Sequence, residues 1–77
     1  MARELIVHTD GGSRGNPGPA AAGFVIDDSK GNRLAGRACF LGETTNNVAE
    51  YTALIRALEA AGQMGAETLT VFCDSEL

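Results

Sequence analysis

Hydrophobic residues along the chain fall into short runs with two different periods. Leu5-Ile6-Val7-His8-Thr9-Asp10 is a strand-like run that the pair Gly11-Gly12 is expected to stop. The stretch 13–19 holds Gly15, Asn16, Pro17, Gly18 and Pro19 and reads as a loop. Residues 20–26 form a second strand-like run, and 33–41 a third. Between them 27–32 is a polar hairpin loop in which Gly31 is free to take positive φ. The first three strands are therefore expected to form an antiparallel meander.

From Asn47 the period changes. Val48, Tyr51, Ile55, Leu58 and Gly62 share one helical face, with Leu54 and Ala61 on its shoulder, so this stripe, Tyr51 included, is the expected core contact. An alanine-rich composition supports a helix of about four turns, ending near Gly62 or Gly65. Residues 68–73 alternate, are rich in β-branched types, and read as a fourth strand ending at Asp74. A strand–helix–strand order implies a right-handed crossover and a parallel fourth strand. Leu5-Ile6-Val7, Phe24-Val25-Ile26 and Val71-Phe72-Cys73 are apolar on both faces, which suits a sheet covered on two sides. One helix covers only one, so the expectation is that the chain either self-associates or has lost its remaining helices, and residue 77 looks like a cut end.

At 77 residues, 44% hydrophobic and 21% charged, the chain is sized for one small globular domain with a marginal core. It has no apolar run of membrane-spanning length and no signal-peptide core, so a cytoplasmic, membrane-free setting is expected. Cys39 and Cys73 sit in apolar strand runs without a CxxC pair and read as reduced, buried thiols rather than zinc ligands. A net charge of −4 with six scattered basic residues argues against a phosphate groove built on charge alone. If the partner is nucleic acid, cations held by carboxylates must offset the phosphates locally.

Three acids stand where chemistry is feasible. Asp10 closes a strand and precedes two glycines that let a ligand approach; its plain alternative is a turn-capping aspartate. Glu50 borders the apolar stripe near the helix start, but Asn47-Val48-Ala49-Glu50 also fits a capping box. Asp74 ends the fourth strand, and its alternative is again a cap. With that strand parallel to the first, Asp10 and Asp74 leave the same sheet edge, where α/β proteins bind ligands. Like charges gathered there would repel unless a divalent cation joined them. The glycine-rich loop 11–19 could present backbone N–H groups to phosphate or ribose, or could simply connect two strands. Thr44-Thr45-Asn46-Asn47 is either a helix-terminal phosphate site or a cap. His8 reads as a packed or partly exposed strand residue.

In order, Thr9-Asp10-Gly11-Gly12-Ser13-Arg14-Gly15-Asn16-Pro17-Gly18-Pro19-Ala20, then Thr45-Asn46-Asn47-Val48-Ala49-Glu50-Tyr51, then Asp74-Ser75 closely resemble type I ribonuclease H of the prokaryotic branch. The resemblance runs over residues 1–77 as the N-terminal portion of one domain. It implies a ribonuclease H-like mixed α/β sheet: a three-stranded antiparallel meander, a helix and a parallel fourth strand, with the fifth strand and later helices absent. It implies hydrolysis of the RNA strand of RNA–DNA hybrids with two Mg²⁺ or Mn²⁺ ions at Asp10, Glu50 and Asp74. It further implies ribose 2′-hydroxyl contacts from Asn16 and Asn47, a phosphate contact from Thr45 in the polar cluster that includes Asn46, and close backbone approach at Gly11 and Gly12. The family's fourth carboxylate and mobile histidine have no counterpart here, and the fourth strand would be left as an open edge suited to a homodimer. Two alternatives follow: a fragment that binds nucleic acid or itself without cutting, or a nucleotide-binding relative of the sugar-kinase and actin type. The Thr45-Asn46-Asn47…Glu50 pattern argues against the second.

Overall fold

The computed structural model describes residues 3–73. Chain order is β1 (Glu4–Ser13), β2 (Gly18–Asp28), β3 (Arg33–Thr44), α1 (Asn46–Gln63) and β4 (Thr68–Cys73). The strands form one sheet in the order β3-β2-β1-β4, with β1–β2 and β2–β3 antiparallel and β4 parallel to β1. This is the ribonuclease H-like arrangement, as far as β4.

The meander is longer than the sequence pattern suggests. β1 does not stop at Gly11-Gly12: Gly11 pairs with Ala22, Gly12 with Ala21 and Ser13 with Ala20. The partners are all alanines, small enough to lie against glycine, so the ladder continues where glycine's low strand propensity predicts an end. β3 likewise runs on to Thr44. A bulge shifts its register, Ala20 facing Gly42 and Ala21 facing Phe40, with Gly42 at φ 76°. The hairpin between β2 and β3 closes as expected: the Asp28 carboxylate accepts from the Lys30 and Asn32 amides at 2.9 Å each, and Gly31 takes φ 87°.

α1 packs on the sheet through a face other than the one its large apolar residues define. Ala49, Ala53, Ala57 and Ala61, spaced four apart, are buried, Ala57 and Ala61 in one cluster with Leu5, Val7, Phe24 and Ile26. The expected contact stripe points away: Tyr51 is 66% exposed and Ile55 55%, with Val48 and Leu58 also exposed. The cause is the close approach of helix to sheet. A Cβ on Gly11 would lie 2.5 Å from the Ala49 carbonyl oxygen, so only small side chains fit between the two backbones at this point. The helix is thus apolar on two opposite faces, one occupied by the sheet and one open. The sheet's far side is open too, with Ile6 and Val25 half-buried and Phe40 and Phe72 exposed. On this side His8 stacks on its cross-strand neighbour Phe72, ring centroids 5.1 Å apart. The helix ends as the glycine pattern suggests, at a Met64 cap followed by Gly65 at φ 77°.

Both cysteines are free; Cys39 is half-buried, but Cys73 is exposed, at the end of the edge strand β4. No helix among the described residues is long and apolar enough to cross a membrane.

Candidate active site

The end of β1, the loop after it and the start of α1 meet at one corner of the sheet. Glycine brings them together. Gly11 lies flat against the backbone of Ala49 and Glu50, and an added Cβ would come within 2.6 Å of the Ala49 carbonyl carbon and 2.8 Å of the Glu50 nitrogen. Asp10, one residue before Gly11, is exposed, and Glu50 is half-buried. The two acids therefore stem from adjoining backbone on different elements.

Glu50 does not cap the helix. The N-cap is Thr45, whose Oγ1 accepts from the Val48 amide at 3.3 Å, and α1 starts at Asn46. Glu50 is then the fifth helical residue, in the second turn, too far along for the capping box that Asn47-Val48-Ala49-Glu50 suggests. The position that a capping box would give to glutamate holds Val48. The helix cap therefore makes no use of the Glu50 carboxylate.

Two long-range hydrogen bonds fasten the loop to the helix start. The Ser13 amide donates to Asn46 Oδ1 at 2.8 Å, and the Asn46 amide donates to Asn16 Oδ1 at 3.0 Å. Both asparagine carbonyls are thereby occupied, so each side chain keeps its NH₂ group to offer as a donor. Gly12 lies under the same clamp, where an added Cβ would sit 3.3 Å from Asn46 Oδ1. Asn47 is exposed at the second helical position. Sequence reasoning placed Asn16 and Asn46 in the site but missed Ser13 and the clamp. Ser13 and Asn46 are 33 residues apart, and no local motif links them.

Asp74 lies outside the described residues. Its predecessor Cys73 pairs with Thr9, the residue before Asp10. Among the described residues no group of three or more histidine, cysteine, aspartate or glutamate side chains converges on one point. The corner sets the backbones of Asp10 and Glu50 close together; carboxylates offer oxygen donors only, the type that suits Mg²⁺ or Mn²⁺. The acidic residues of the β2–β3 hairpin are engaged elsewhere. Asp27 pairs with Arg33 at 3.0 Å, and hydrogen bonds from Asn32 hold the Asp28 carboxyl below the usual aspartate range.

A family model described as reverse transcriptase-like matches residues 8–77. The chain belongs to this family, and its fold and sequence closely match those of ribonuclease H domains as far as they extend. It is 50% identical over 68 residues to a ribonuclease HI of Halobacterium salinarum, a match covering 88% of this chain and 34% of that one. It is 54% identical to LC11-RNase H1, solved in complex with RNA/DNA hybrid, with a TM-score of 0.86 over 94% of this chain and 55% of that one. The N-terminal RNase H domain of rv2228c from Mycobacterium tuberculosis superposes with a TM-score of 0.91 at 44% identity, over 96% of this chain and 57% of that one. The chain thus spans about a third of the Halobacterium protein and little more than half of the solved chains.

Proposed function

We propose that the chain carries the substrate-binding corner and two or three of the carboxylates of a divalent-metal-dependent endonuclease that hydrolyses the RNA strand of RNA–DNA hybrids. The observation that carries this reading is the contact of Gly11 with the Ala49–Glu50 backbone, which sets the backbones of two acids from separate elements side by side.

Asp10 and Glu50 would hold the ions, with Asp74 as the third carboxylate. Asp74 follows Cys73 as Asp10 follows Thr9, and Thr9 and Cys73 are register partners on parallel strands. Divalent ions bound there would neutralise charge on the scissile phosphate and provide a nucleophilic water at neutral pH. The remaining work falls to the chain. The Asn16 and Asn46 NH₂ groups, freed by the clamp, would donate to ribose 2′-oxygens, and exposed Asn47 would do the same. Gly12 would let the minor-groove surface approach the backbone, whereas at Gly11 the place of a Cβ is taken by the Ala49 carbonyl, so that glycine serves the helix contact. The Thr45 hydroxyl accepts from Val48 and keeps its own proton to donate to a phosphate oxygen on the opposite strand.

The test is an end-labelled RNA–DNA hybrid incubated with the 77-residue chain and Mg²⁺ or Mn²⁺, with Asp10→Asn alongside. RNA-strand cleavage by the parent and not by the variant supports the reading. A folded chain that binds the hybrid and leaves it intact favours the non-cutting fragment. A second reading, self-association, is favoured by the exposed Tyr51–Ile55 face of α1 and by the outer edge of β4, which has no strand beside it among the described residues. Sedimentation of the 77-residue chain giving only a monomer at micromolar concentration would eliminate it.

A further inference from the structure

α1 lies over β1 and β2 and leaves the helix-facing side of β3 uncovered, which opens a groove between α1 and β3. Its floor is the sheet surface at Ala22, Phe24 and Cys39, with Ala53 on the helix side. One wall carries Arg37 from β3, the other Arg56 from α1. Both arginines are exposed, and neither has a carboxylate within 4.0 Å among the described residues, where the single ion pair is Arg33–Asp27. In a chain of net charge −4 with six basic residues, two unpaired guanidinium groups on facing walls of one groove are a local reversal of the surrounding field.

We propose that this groove binds a backbone phosphate of a polynucleotide strand, held between Arg37 and Arg56. One guanidinium can grip two phosphate oxygens at once, and a second from the opposite wall would close on the same tetrahedral anion. The groove also contains Glu59, which disfavours a diffusely acidic peptide but leaves a single well-gripped phosphate acceptable. The groove opens on the helix side of the sheet, whereas Asp10 alternates onto the opposite face with His8. Its tie to the candidate active site runs along α1, on which Arg56 lies ten residues, about 15 Å, from Asn46. That tie rests on the proposed hybrid-binding role of the helix start, whereas the phosphate site itself does not.

The experiment reads the arginine Nε–H signals of the isotopically labelled 77-residue chain by NMR while hexathymidylate is added. The Arg37 and Arg56 signals are expected to shift together and saturate, Arg56→Gln to abolish the shift at Arg37, and Arg56→Lys to restore part of it. In a hybrid-binding assay, the Arg37→Gln/Arg56→Gln chain should show a salt slope shallower by about one than the parent, the signature of one lost phosphate contact. Signals that stay put, or that move one without the other, overturn the proposal. So does an equal response to an oligoglutamate peptide, or inorganic phosphate binding as tightly as hexathymidylate. Because hexathymidylate is not a hybrid, the groove is tested even in a chain that cuts nothing. Cleavage with unmoved arginine signals would overturn the groove alone.

Discussion

Replacing Gly11 by alanine should disturb stability and site together. The added Cβ would stand 2.5 Å from the Ala49 carbonyl oxygen, and ordinary contact begins at 3.4 Å, so helix or strand must retreat by about 0.9 Å. Nothing flexible lies in the way: the three nearest atoms are backbone. The retreat loosens the buried alanine row Ala49, Ala53, Ala57 and Ala61, whose packing depends on that close approach. Overpacking of this sort typically costs about 1–3 kcal/mol. For a domain this small, a loss of about 2 kcal/mol lowers the melting temperature by roughly 8–16 °C. The same displacement moves Glu50 relative to Asp10 by nearly an ångström, enough to cost on the order of 100-fold in a reaction that depends on their spacing. The assay is thermal and urea unfolding followed by circular dichroism. Gly62→Ala serves as the reference, since an added Cβ there meets nothing within 4 Å. In the last turn of α1 it should stabilise by a few tenths of a kcal/mol, about half or less of the helix-interior value. It also provides a firmer background in which to measure Gly11→Ala. If Gly11→Ala melts within about 0.5 kcal/mol of its parent, the corner is not held by close packing.

Other perturbations test single contacts. Thr45→Ala should cost about 1 kcal/mol in urea unfolding, and Thr45→Ser should recover most of it, because the hydroxyl caps the Val48 amide. Asn46→Ala removes the acceptor for the Ser13 amide, so hydrogen exchange at Ser13 should quicken several-fold while the β4 amides stay protected. Asp28 has its folded-state pKa depressed by hydrogen bonds from Asn32, so its contribution is present above the unfolded aspartate value, near 3.9, and is lost as pH falls through the lower folded value. The Lys30 and Asn32 amide signals should therefore report hairpin opening in acid, with a midpoint below that of an aspartate in an unstructured peptide.

The strands and their topology were legible because strand runs and turn residues agree along the chain. β4 falls where alternation puts it, at Thr68–Cys73, and Gly31 and Gly65 take the positive φ their places suggest. The helix face was not legible by the same rule. Ranking residues by hydrophobicity selects Val48, Tyr51, Ile55 and Leu58, whereas the contact is set by how near the backbones can come, and there alanine wins. The signal was present as four alanines spaced four apart, with Gly11 as their counterpart, but it carries meaning only once β1 is known to lie beneath α1. The corner itself was half legible. Asp10, Glu50, Asn16 and Asn46 stand out from their neighbours, but Glu50 could be separated from a capping role only when the helix was seen to begin at Asn46 with Thr45 as cap. Asp74 still rests on its sequence position.

Whether Asp10 and Glu50 share a divalent-metal site is decided by adding Mn²⁺ to the labelled chain. Substoichiometric Mn²⁺ should broaden the amide signals of Asp10, Gly11, Ala49 and Glu50 first, and Asp10→Asn should abolish that preference. Broadening that begins at the Asp27–Asp28 hairpin, or spreads evenly over all exposed carboxylates, would mean that the corner is not where the metal binds.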